Sequence, residues 1–154
     1  MKSRIIRFET NTLMRKLLKD NQIDLLTFSP SAISRNLKRY LNIQFVEKGQ
    51  YYTYKGNHVE LFWNDDTGNE FSNNKVVIKI NSIKKSLNDA LSFAYALCKV
   101  LVYINSSFRV FISFDDSFYT ISFFQIRSEN TFFDDDLDSY EEEAILLVNI
   151  MQQR

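Results

Sequence analysis

The 154-residue sequence predicts an α+β fold, a mainly antiparallel sheet with an N-terminal helical segment and one long helix packed on the sheet. Three observations carry this expectation. Between Ser82 and Leu101, apolar residues recur every three or four positions, as on one face of a helix. Between Phe108 and Phe124, aromatic and β-branched residues alternate with polar ones, as on a pleated surface. With only three Gly and one Pro, the chain must build its turns from Asn, Asp and Ser. No linker or repeat divides the sequence, so one domain is expected over 1–154, with a helical portion at about 1–42 and a sheet-rich portion at about 43–154.

The elements follow in order. From about Thr10 to Lys19, Leu13, Leu17 and Leu18 share a helical face, and Arg15, Lys16 and Lys19 lie elsewhere. The stretch SPSAISRNLKRY (29–40) predicts a second helix. Ser29 is a capping residue, Pro30 suits the first helical position, and Ile33, Leu37, Tyr40 and Leu41 form the apolar face. Two short strands, 43–46 and 51–54, are expected around a Lys48-Gly49 turn, with a third from His58 to Trp63. Residues 64–69, NDDTGN, read as a loop, and Val76 to Ile80 as a strand.

The long helix at 82–101 could be capped by Ser82 or Ser86. In the following hairpin, Phe108, Val110, Ile112 and Phe114 share one face. Its Asp115-Asp116 turn lacks the glycine of a tight two-residue loop, which leaves room for a slightly longer one. The run AILLVNI (144–150) is expected as a buried strand entered through an acidic loop or short helix.

Composition narrows the function classes. A single cysteine, Cys98, excludes an internal disulfide and suits the cytoplasm. The basic N-terminal stretch has no continuous apolar core or small-residue cleavage site, so no secretory leader is expected. No apolar run approaches the roughly 20 residues of a spanning helix, and no membrane partner is expected. His58 is the only histidine and stands without an evident partner for acid–base work. Cys98 lies on an apolar stripe, as a buried thiol would. The pairs Asp65-Asp66 and Asp115-Asp116 and the run Asp134-Asp135-Asp136 lack the spacing of a calcium loop. Neither catalysis nor a metal or cofactor is therefore expected.

Charge is zero overall but uneven. Residues 1–50 hold ten Lys/Arg and four Asp/Glu (+6), residues 51–127 eight and seven (+1), and residues 128–154 one and eight (−7). Two partner readings follow. On the predicted helix at 29–41, Arg35, Lys38 and Arg39 could meet phosphates, while Ser31, Ser34 and Asn36 could face bases. Against nucleic acid stand the neutral total and the acidic tail. The alternative use of the basic front is attraction to that tail.

The second reading concerns the tail itself. Glu129, Asp134, Asp135, Asp136, Asp138, Glu141, Glu142 and Glu143 interleave with Phe132, Phe133, Leu137 and Tyr140. Carboxylates steer encounter with a cationic protein, and aromatic anchors supply affinity. A nuclease, which must attract phosphate, offers such a cationic surface.

The segments KKSLNDAL (84–91), the hairpin 108–124 and LDSYEEEAILL (137–147) resemble small bacterial immunity proteins, which neutralise toxins delivered by contact-dependent growth inhibition and related systems. The resemblance covers roughly half of the chain. It implies a cytoplasmic, non-catalytic protein that binds one cognate toxin and occludes its active site. The contacts would then fall on Glu129, Phe132, Phe133, Asp134, Asp135, Asp136, Asp138, Tyr140, Glu141 and Glu142.

Overall fold

A computed structural model describes residues 4–47, 50–57, 59–60, 65–127 and 136–152. Its main sheet has five strands, β1 (Arg4–Thr10), β4 (Val76–Lys79), β5 (Phe108–Phe114), β6 (Phe118–Gln125) and β7 (Ala144–Gln152). Their spatial order is β1-β7-β5-β6-β4, with every neighbouring pair antiparallel. A separate antiparallel pair joins β2 (Ile43–Val46) to β3 (Tyr51–Tyr54). The α+β expectation holds.

The long helix α4 (Ile83–Leu101) covers one face of the sheet. Leu87, Ala90, Leu91, Ala94, Leu97 and Leu101 meet the predicted inward set Phe108, Val110, Ile112 and Phe114, joined by alternate residues of β6 and β7. Helix α1 (Thr12–Asp20) adds Met14 and Leu18 to the same core. The opposite face carries a smaller cluster of Phe71, Phe111, Phe124, Ile145 and Leu147 under helix α3 (Asp66–Asn73). Strand β7 lies inside the sheet with both faces covered. That is why AILLVNI shows no alternation. The β5–β6 turn is indeed longer than two residues: Asp115 to Phe118 separate the Phe114–Tyr119 pair, and the Asp115 carboxylate accepts from the N–H groups of Ser117 and Phe118.

Four expectations need correction. The N-terminal portion is not wholly helical, because β1 precedes α1. Arg4, Arg7 and Glu9 disguised it, as charges do on an edge strand. The helix foreseen over 29–41 shrinks to a single turn, α2 (Arg35–Lys38), followed by a 3-10 turn (Arg39–Leu41). The Ser31 N–H and hydroxyl both engage the Ser92 hydroxyl of α4, and Asn88 donates to the Ser31 hydroxyl. These bonds tie Ser31 to α4, and Ser34, not Ser29, stands at the start of the turn.

Residues 64–69 do not form a loop from Asp66 onward but open α3. Asp65 caps the helix by accepting from the Gly68 N–H. A Cβ at Gly68 would stand 3.0 Å from that carboxylate, so the glycine that suggested a loop serves the cap. Finally, Val59 and Glu60 are not in a strand, and the rest of the strand foreseen over 58–63 lies outside the described residues. So does the Lys48-Gly49 turn. Ser82 does precede α4, without a capping bond from its side chain.

Candidate functional site

The pairing of β1 with β7 brings the basic front and the acidic tail to one end of the molecule. The joint is Asn11, which is 1% exposed. Its side-chain oxygen accepts from the N–H groups of Met14 and Ile145, both at 2.9 Å. Its amide donates to the Glu143 carbonyl at 2.7 Å. One side chain thus caps α1 and fixes the entry to β7. Beside it, Asp138 in the 3-10 turn Leu137–Ser139 accepts from the Thr12 N–H at 2.6 Å and lies 3.8 Å from Arg15. These Thr12 contacts, aided by Arg15, hold the Asp138 carboxyl below the usual carboxylate range. The attraction foreseen between front and tail is realised at this point.

Around Asp138 the acidic segment turns outward, with the Asp136 carboxylate accepting from the Asp138 N–H. Asp136, Glu141 and Glu142 are exposed, while Tyr140 is half-buried and packs with Leu137 against the smaller cluster. Glu142 stands on the rim of a groove of about 350 Å³ whose other acidic residues are Asp20, Asp115 and Asp116. The floor is apolar: Leu13, Leu17, Ile80, Ile83, Phe114 and Ala144. Register explains the convergence. Phe114 pairs with Ala144, so the β5–β6 turn and the residues just before β7 emerge side by side. Lys16 is the one cation on the rim among the described residues, and it faces Asp20 at 3.4 Å. An apolar floor beneath four carboxylates suits a lysine or arginine side chain, whose stem packs while its head stays charged.

Of the tail residues foreseen as contacts, Asp136, Asp138, Tyr140, Glu141 and Glu142 are described and lie at this end. Glu129, Phe132, Phe133, Asp134 and Asp135 lie outside the described residues. Sequence reasoning read Asp115-Asp116 as a turn and weighed it for a metal, not as part of a partner surface, and it missed Asp20 and Asn11. Strand pairing alone joins the two acidic stretches, and no local pattern announces that.

The basic set behaves differently. Arg35, Lys38 and Arg39 are exposed on one helical turn and the 3-10 turn after it. Arg39 lies over the Tyr40 ring, 4.7 Å from its centroid, and donates to the Tyr40 hydroxyl at 2.6 Å. Among the described residues none of the three has a carboxylate partner. Ser31, foreseen as facing bases, is instead spent on α4.

A second polar cluster lies inside the fold. Glu70 of α3 is fully buried. It accepts from Arg127 at 3.1 Å, from the Tyr52 N–H at 3.0 Å, and from both the backbone and the side-chain amide of Gln125. The Tyr51 hydroxyl donates to Asp66 at 3.0 Å. This network ties α3 to β3 and β6. Among the described residues no three His, Cys, Asp or Glu side chains gather as a metal would need. Cys98 is half-buried, and desolvation pushes its thiol up to about 12, which keeps it protonated and unreactive. No helix among the described residues is long and apolar enough to cross a membrane.

Fold and site together define an α+β protein whose most distinctive surface is an acidic-rimmed apolar groove at one end of an antiparallel sheet. The chain belongs to the Uncharacterized protein PM0498 family, whose model matches residues 9–154. No curated protein and no solved structure matches it.

Proposed function

We propose that this chain is a cytoplasmic immunity protein, acting by binding rather than catalysis. It occludes the cationic active-site surface of a cognate bacterial toxin, with a nuclease as the favoured class. The observation that carries this reading is the convergence of the Asp115-Asp116 pair with Glu142, distant from it in sequence, over one apolar floor. Carboxylates that serve the fold are bonded within it, as Glu70 is. These three stand exposed on a rim, and among the described residues only the turn-forming oxygen of Asp115 is used internally. Exposed like charges side by side repel one another, and a cationic partner relieves that repulsion. Asp136, Glu141 and Tyr140 extend the surface, and Glu129, Phe132, Phe133, Asp134 and Asp135 belong to the same acidic segment.

The test is co-expression with the toxin encoded beside its gene. The wild-type chain should restore growth and co-purify with the toxin. The triple variant Asp115→Asn/Asp116→Asn/Glu142→Gln should slow association about 10- to 100-fold at low salt. Its melting temperature should stay within about 2 °C of wild type, since exposed unpaired charges contribute little to stability. A toxin that remains lethal and does not co-purify with the wild type would count decisively against this reading.

A further inference from the structure

Among the described residues strand β1 is an edge of the main sheet, with β7 on one side and no strand on the other. Hydrogen-bond parity identifies its unused backbone groups. The Asn11 N–H donates to the Ile145 carbonyl at 3.1 Å, in register with the β1–β7 ladder. Odd-numbered residues of β1 therefore turn their N–H and C=O toward β7, and Ile6, Phe8 and Thr10 turn theirs outward. The Thr10 carbonyl accordingly accepts from the Arg15 guanidinium at 2.6 Å. Among the described residues nothing bonds the outward groups of Ile6 and Phe8.

The side chains of this edge are equally unspent. Ile6 and Phe8 are 47% and 44% exposed, on the face shared with α4. They border an apolar groove of about 230 Å³ completed by Leu25, Phe28, Tyr95 and Val102. On the opposite face stand Arg7 and Glu9. Arg7 has no hydrogen-bond or ion-pair partner among the described residues. Glu9 accepts from Asn149 on one oxygen only, at 2.7 Å.

We propose that this edge pairs with the same edge of a second copy, β1 against β1, antiparallel about a two-fold axis at Phe8. The charge order selects both partner and register. About Phe8 the strand reads Arg7, Phe8, Glu9, so it is its own complement. The axis sets Phe8 against the partner's Phe8, Arg7 against the partner's Glu9, and Glu9 against the partner's Arg7. Directly opposed unlike charges and aromatic pairs both favour a register. An axis at Arg7 would instead oppose two arginines, and an axis at Ile6 would set Arg7 against Ile5. Phe8 also falls in a position whose outward N–H and C=O can bond those of its partner. The outcome is an isologous dimer with a continuous ten-stranded sheet, and the edge that invites indiscriminate pairing is closed. The antiparallel arrangement leaves the two acidic grooves at opposite ends, both open. The dimer does not depend on the identity of any toxin.

Sedimentation equilibrium on the full chain tests this directly. The 18.2 kDa chain should approach twice its mass with a Kd on the order of 10–100 µM, as befits a small strand-centred interface. Arg7→Glu alone, or Glu9→Arg alone, should weaken association about tenfold or more, and the two together should restore it. A wild type that stays monomeric up to about 1 mM overturns the proposal. So does a dimer indifferent to the single reversals, or one that the double reversal fails to rescue in a chain with an unchanged thermal melt.

Discussion

Glu70 and Glu142 are the same chemical group in opposite circumstances. Glu70 is fully buried and has four donors around it: Arg127, the Tyr52 N–H and two from Gln125. Glu142 is exposed on a rim with Asp115, Asp116 and Asp20, where Lys16 is already paired with Asp20. A carboxylate taken out of water must be met by donors or it unfolds the protein. One left in water costs the fold little and can be held for something else. The contrast separates charges that build this molecule from charges that face outward, and it locates the two groups at different places: α3 with its strands, and the end of the sheet.

The sharpest way to break the contrast is to remove the buried member. Glu70→Ala leaves two backbone N–H groups without their acceptor and the partly buried Arg127 without its counter-charge. It should cost about 3–5 kcal/mol and lower the melting temperature by about 10 °C or more. Calorimetry or a dichroism melt reads this directly. A loss below about 2 °C would place Glu70 in the same class as the rim carboxylates and dissolve the distinction.

Asn11 is next in size. It belongs to the exposed end yet is itself buried, and it decides whether the acidic segment is presented at all. Asn11→Ala removes the cap of α1 and strands the Ile145 N–H, together about 2–4 kcal/mol by thermal or urea unfolding. Hydrogen exchange should show the loss first at Met14 and Ile145. Unchanged protection of those two amides would mean that the segment is anchored elsewhere.

How much of this was legible beforehand depended on whether a signal is local. Helix α4 and the β5–β6 hairpin write their periods into consecutive residues, so both were readable. The last strand was readable as buried from its unbroken apolar run. What failed was overridden by tertiary contact. β1 carries Arg4, Arg7 and Glu9, whereas the inner strands β5, β6 and β7 carry Arg109 alone, because among the described residues its outer flank has no strand partner. α3 is rich in Asn, Asp and Gly, poor helix formers, and is held by the Asp65 cap, the burial of Phe71 and the Glu70 network. The helix foreseen from Ser29 is preempted by the bonds of Ser31 to α4. At the site, the acidic tail was visible as composition. Its alignment with Asp115 and Asp116 rests on the Phe114–Ala144 register, and its anchorage rests on Asn11 reaching residues more than 130 positions away.

Asp138 lies between the two extremes, exposed yet engaged, and it yields the smallest and most diagnostic effect. Its carboxylate is held by Thr12 at the start of α1, where the helix dipole also favours a negative charge, and Arg15 adds a longer contact. Its pKa in the folded chain is therefore depressed. A depressed carboxyl contributes stability above its unfolded value, about 4, and loses that contribution as pH falls through the folded value. Asp138→Asn should thus melt slightly lower than wild type at pH 7, and the gap should close as pH drops below about 4. A gap for Asp138→Asn that stays constant from neutral pH to about 2.5 would mean that the ionised carboxylate is not what Thr12 and Arg15 recognise, and Asp138 would then join the outward-facing set.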